Sequence, residues 1–135
     1  MRIFVDTNVF MRLFDLSDQT QTEKAKSLFK KAASGDITLV VAPPVLFELS
    51  WVLKNALKHS NEKVLDILES ITAWKGLRVS DYDYVQAAIS LARDKGQGFA
   101  DAYICVTAQK QDLKVATFNA RHFEKLGAPL YSFDN

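Results

Sequence analysis

Short apolar runs alternate along this chain with longer segments in which apolar residues recur every three or four positions. The runs are Ile3-Phe4-Val5, Ile37-Thr38-Leu39-Val40-Val41, Leu77-Arg78-Val79 and Val115-Ala116-Thr117-Phe118, with Leu130-Tyr131-Ser132-Phe133 as a short fifth. None has the clean apolar–polar alternation of a strand with one wet face. The pattern therefore predicts parallel strands covered on both sides.

The segments between them read as amphipathic helices. Thr20-Gln21-Thr22-Glu23 has the form of a capping box opening a helix to about Ala33, with Gly35 just beyond its end. Pro43-Pro44 suits a first helical turn, and Val45, Leu46, Leu49, Val52, Leu53, Ala56 and Leu57 then fall on one stripe. A further helix is expected from about Glu62 to Trp74. Ser80-Asp81-Tyr82-Asp83 forms a second capping box for a helix to about Asp94. Lys95-Gly96-Gln97-Gly98 is the clearest loop; a helix follows from about Phe99 to Gln111, and a short one after Asn119. Strand and helix alternation of this kind predicts an α/β sandwich with right-handed crossovers. No repeat or linker divides the chain, so one domain over residues 1–135 is expected.

Composition narrows the function classes. With 48% apolar and 24% charged residues, the chain resembles a soluble globular protein, and no apolar run reaches the length of a membrane span. Net charge is only +1, so any nucleic-acid contact must come from a local basic patch. Cys105 is the single cysteine, which excludes an internal disulfide and a cysteine-based zinc site. A reducing cytoplasm fits that usage.

Three acids then stand out. Asp6 directly follows the first strand, where open parallel sheets place their sites, although Asp6, Thr7 and Asn8 all equally suit a helix cap. Glu48 lies just off the apolar stripe of its helix, near Trp51 and Asn55, or is simply a solvated flank residue. Asp101 falls among Ile104, Cys105 and Ala108 on what reads as the apolar side of its helix; a buried charge there needs a partner or a metal. Its first-turn position also suits the helix dipole. Thr117-Phe118-Asn119 ends the fourth run as Asp6 ends the first. Were those strands neighbours, Thr117 would hydrogen-bond Asp6 and Asn119 would hold a metal-bound water, unless Asn119 only caps the next helix. Carboxylates gathered without a cation repel one another. Mg²⁺ resolves this, and with a lowered water pKa it supplies phosphodiester hydrolysis without a covalent intermediate.

Four blocks carry a family resemblance: Ile3-Phe4-Val5-Asp6-Thr7-Asn8, Pro43-Pro44-Val45-Leu46-Phe47-Glu48-Leu49, Gly98-Phe99-Ala100-Asp101-Ala102 and Thr117-Phe118-Asn119-Ala120-Arg121-His122-Phe123. In order and spacing the chain resembles the PIN-domain ribonucleases, particularly the VapC-type toxins of toxin–antitoxin pairs. The resemblance implies a three-layer α/β/α fold with a parallel sheet of order 3-2-1-4-5. It implies Mg²⁺ or Mn²⁺ at Asp6, Glu48 and Asp101, endonucleolytic cleavage of RNA, a homodimer and a cognate antitoxin. Many relatives carry a fourth acid where this chain has Asn119, which favours one metal at rest. Arg121 and His122, with Arg12 and Lys54 behind them, are the candidate RNA contacts, each also readable as a solvated charge. Phe10, Phe14, Phe47 and Trp51 are assigned to core and dimer surface.

Other readings remain open at this level. A haloacid-dehalogenase-like phosphatase needs a second aspartate two residues after the first, where Asn8 stands. A non-catalytic PIN-like binding module conflicts with the intact acidic trio. A housekeeping RNA-processing nuclease would carry the same residues as a toxin.

Overall fold

The structure, a computed structural model, describes residues 1–134. Among these residues three parallel strands form the sheet: β1 (Arg2–Phe4), β2 (Thr38–Val41) and β3 (Leu77–Val79), with β2 in the centre. Phe4 pairs with Val40, and Val41 with Val79. Leu39 and Val41 are fully buried while Thr38 and Val40 are half-buried. Successive strand residues face opposite ways, so both faces of β2 are covered, one completely.

Among the described residues, seven helices surround the sheet: α1 (Thr7–Met11), α2 (Gln19–Ala33), α3 (Pro43–Asn55), α4 (Asn61–Thr72), α5 (Tyr82–Lys95), α6 (Phe99–Lys110) and α7 (Ala120–Leu126). As the stripe predicts, Val45, Leu46, Leu49 and Leu53 of α3 are buried, and both prolines sit in its first turn. They join Val5, Phe10, Leu65, Leu68 and Ile89 in one continuous core. Cys105 lies in that core with its Sγ 3.7 Å from the Leu126 carbonyl; burial pushes its thiol pKa up.

Two helix starts differ from expectation. The cap of α2 is Asp18, whose carboxylate accepts the Gln21 N–H at 3.0 Å, so Thr20 lies inside the first turn. Before α5, Ser80 still bonds to Val41 of the sheet, and the chain must turn within one residue. Asp81 makes that turn in the left-handed region (φ 54°), leaving no side-chain cap. Aspartate tolerates that conformation better than most residues.

The observed sheet supplies the β3-β2-β1 half of the expected order. The fourth and fifth runs meet only at one parallel bridge, between Val115 and Leu130. Of Val115, Ala116, Thr117 and Phe118 only Val115 is buried, so this run lacks the two covered faces that hold a central strand in place. Among the described residues, no helix is long and apolar enough to cross a membrane.

Candidate active site

The first acid is placed by a strand end. Beyond β1, Val5 continues the ladder by donating to the Val40 carbonyl, and Asp6 then turns the chain into α1. Its Oδ1 accepts the Thr7 N–H at 2.8 Å, leaving Oδ2 without an assigned donor. Asp6 therefore caps α1, and its exposed carboxylate also faces solvent at the carboxyl edge of the sheet. Thr7 behind it is buried, and its hydroxyl has no hydrogen-bond partner among the described residues. Asn8 is exposed and lines a separate groove between α1 and α2 with Arg12, Gln21 and Lys24. Arg12 stands 3.7 Å from Asp15, so its charge is already partly matched.

Glu48 and Asp101 come together. Both line an open groove of about 490 Å³ between α3 and α6, with Trp51, Lys54, Asn55 and Asn61 along its walls. The two helices are held there by aromatic contacts, Phe47 against Phe99 (5.5 Å) and Tyr103 (5.0 Å). Leu46 and Leu49 are buried on the core side of α3, which leaves Glu48 exposed on the side that faces the groove. The aromatic assignments thus divide: Phe10 is core, Phe14 and Phe47 are half-buried, and Trp51 is 64% exposed.

Asp101 corrects an expectation. It is not a buried charge on an apolar face; its side chain is 35% exposed, and Ile104 one turn on is itself exposed. The helical count placed Asp101 beside Cys105 and Ala108, which are buried, but α6 is only partly covered at its start. Asp101 also sits in the first turn of α6, where the helix dipole favours its charge.

A second link runs from Asp101 to α7. His122 Nδ1 lies 3.5 Å from the Asp101 carboxylate and 3.0 Å from the Asn119 amide nitrogen. Unprotonated, that nitrogen accepts from Asn119; carrying a proton, it faces the carboxylate. Thr117 takes a different part from the one expected. Its hydroxyl accepts the Asn119 N–H at 2.9 Å, organising the turn before α7 rather than holding Asp6. Asn119 occupies the cap position of α7 without a side-chain cap bond. Arg121 and Lys54 are exposed.

Carboxylate oxygens of this kind suit Mg²⁺ or Mn²⁺ by donor chemistry. Among the described residues, however, no three side chains of His, Cys, Asp or Glu stand close enough to hold one ion. Glu48 and Asp101 share a groove that Asp6 does not line. Two of the three acids line one groove, and Asp6 stands outside that lining at the end of β1. Helical counting finds Glu48, Trp51 and Asn55 on one face; the share of Asn61 and Lys54 depends on how α3, α4 and α6 pack, which no local pattern carries.

Comparisons with known proteins bear on this arrangement. No curated protein matches the sequence. Among solved structures, the chain is similar to one described as the crystal structure of VapBC2 from Rickettsia felis bound to a DNA fragment from their promoter. The similarity covers 98% of each chain at 16% identity with a TM-score of 0.39. The family model for the PIN domain matches residues 3–129, which takes in Asp6, Glu48, Asp101 and Asn119. This chain belongs to the PIN-domain family.

Proposed function

We propose that this chain is an endoribonuclease that hydrolyses RNA phosphodiester bonds with the help of Mg²⁺ or Mn²⁺. The observation that carries the reading is the groove shared by Glu48 and Asp101, inside a chain that belongs to the PIN-domain family. Asp6, Glu48 and Asp101 are the ligands in this reading. The metal supplies an acidified water and a clamp on a phosphate oxygen. The chain's own residues do the rest. His122 orients the Asp101 carboxylate from the α7 side when its Nδ1 carries the proton, Asn119 holds the imidazole when it does not, and Thr117 fixes the turn that presents Asn119. Thr7 and Asn8 shape the strand end around Asp6, while Lys54, Arg121 and Arg12 offer cations to the RNA backbone and His122 a ring nitrogen.

The four motif blocks support a finer reading: a single three-layer domain over residues 1–135 with the full 3-2-1-4-5 strand order, working in the cytoplasm. In that reading it is the toxin of a toxin–antitoxin pair, forms a homodimer and is restrained by a cognate antitoxin. A bound Mg²⁺ or Mn²⁺ would be held by Asp6, Glu48 and Asp101 and would offset their mutual repulsion.

The test incubates purified protein with structured RNAs in Mg²⁺ or Mn²⁺, then in EDTA. Internal cleavage is expected only with metal, and Asp101→Asn should abolish it while leaving the circular dichroism spectrum unchanged. Cleavage that persists in EDTA or in the variant would overturn the mechanism.

A further inference from the structure

Phe118 is the most exposed large apolar side chain after the fold is formed, at 95%, and it does not stand alone. Its ring stacks on Phe133 at 4.9 Å with an interplanar angle of 16°, and Tyr131 meets Phe133 edge-on at 5.2 Å. Tyr131 and Phe133 are each about half exposed. One contact brings these segments into step. At the parallel Val115–Leu130 bridge, Val115 donates to Pro129 O and Tyr131 donates to Val115 O. Phe118 and Phe133 lie at the same offset beyond the two bridge residues, so their rings arrive side by side.

We propose that Phe118, Phe133 and Tyr131 form a platform on which unpaired bases of single-stranded RNA stack next to the acidic groove. The proposal rests on the ribonuclease reading. Three features argue for RNA as the occupant. Phe118 is covalently next to Asn119, which contacts His122, which in turn stands 3.5 Å from Asp101 of the groove lining, so a short run of contacts ties the platform's segment to the groove. Arg121 and Lys125 follow on α7, exposed, and give the sugar–phosphate backbone its counter-charge. The stacked pair offers flat π-faces with no polar group, which suits any base equally. Self-association fits less well. Three rings offer a few hundred Å² at most, well short of the roughly 800 Å² per partner of a stable interface.

The platform reads no base edge, so it predicts RNA binding with little sequence preference. The experiment measures fluorescence anisotropy of a short fluorescein-labelled oligoadenylate in EDTA, where cleavage is blocked. Phe118→Ala and Phe133→Ala should each weaken binding by roughly 5- to 150-fold, the range for one stacked base, and Phe118→Trp should restore it. An abasic backbone of the same length should bind the wild-type protein no more tightly than oligoadenylate binds Phe118→Ala. Wild-type protein that cleaves RNA with Mg²⁺, paired with alanine variants that bind oligoadenylate unchanged, overturns the platform alone. Wild-type protein that neither binds nor cleaves RNA overturns the ribonuclease reading and the platform together. Sedimentation that shows a wild-type dimer dissociated by Phe118→Ala assigns the patch to self-association and also overturns it.

Discussion

Asp6 carries two jobs that substitution can separate. Its Oδ1 caps α1 through the Thr7 N–H, and its charge stands at the sheet edge. Asparagine keeps a side-chain oxygen for the cap and removes the charge; alanine removes both. Asp6→Asn should therefore unfold at the wild-type urea midpoint yet lose metal-dependent cleavage. Asp6→Ala should lose cleavage and also about 0.5–1 kcal/mol of stability, the low end for a cap, since the bond reaches only the first helical N–H. Equal stability losses in both variants would deny the cap its role. At this scale the sequence was legible where chemistry is local. The residues after β1 announce a cap whatever the rest of the fold does. Asp101 was misread because helical periodicity says which residues share a face, not whether another element covers that face. Asp101 is 35% exposed, beside His122 of α7 on one side and a groove shared with α3 on the other, and that setting comes from packing rather than from the pattern of α6 itself.

The elements were mostly readable, and their joints were less so. Each of the first three strands and every helix after α1 lies within a few residues of its apolar pattern, because burial of a stripe is a property of the segment itself. The connection from α4 to β3 shows what a pattern omits. Gly76 has φ +88°, and a Cβ there would lie 2.1 Å from the Ala32 carbonyl oxygen at the end of α2. Trp74 reinforces the same contact by donating its indole N–H to the Phe29 carbonyl at 3.0 Å. Gly35 shares the φ of +88° but meets nothing within 4 Å, so it serves as the control. Gly35→Ala should cost about 1 kcal/mol, the price of left-handed backbone alone. Gly76→Ala should cost roughly 2–4 kcal/mol, because backbone must also move to admit the methyl group. Urea unfolding measures both. Similar losses for the two would show that the close approach is relieved freely. The fourth and fifth runs mark the opposite limit. Their apolar residues read as strands, yet a strand's pairing is decided by distant neighbours, and here it shrinks to one bridge.

Across the whole molecule, the proposed site depends on parts far apart in sequence meeting at one end of the sheet. Trp51 reports on that meeting. It is 64% exposed and lines the groove with Glu48 and Asp101, whereas Trp74 packs edge-on against Phe29 and lines a separate apolar cavity with Leu13, Phe14 and Ile71. A paramagnetic ion held by the groove carboxylates quenches the nearer indole, so Mn²⁺ should quench Trp51 and spare Trp74. In the Trp51→Phe protein the remaining fluorescence should be insensitive to Mn²⁺, and excess Mg²⁺ should reverse quenching in the wild type by competing for the same oxygens. Asp101→Asn should remove most of the effect, because a neutral amide is a poor ligand for a hard cation. Quenching of Trp74 to the same extent, or quenching that survives Asp101→Asn, would mean that Mn²⁺ collects on the acidic surface generally. Asp6→Asn sharpens the result. If Asp6 joins the ion only when RNA draws the carboxylates together, its loss should leave Mn²⁺ quenching in the free protein nearly intact while abolishing cleavage. If the three carboxylates already share one ion at rest, Asp6→Asn should weaken both together.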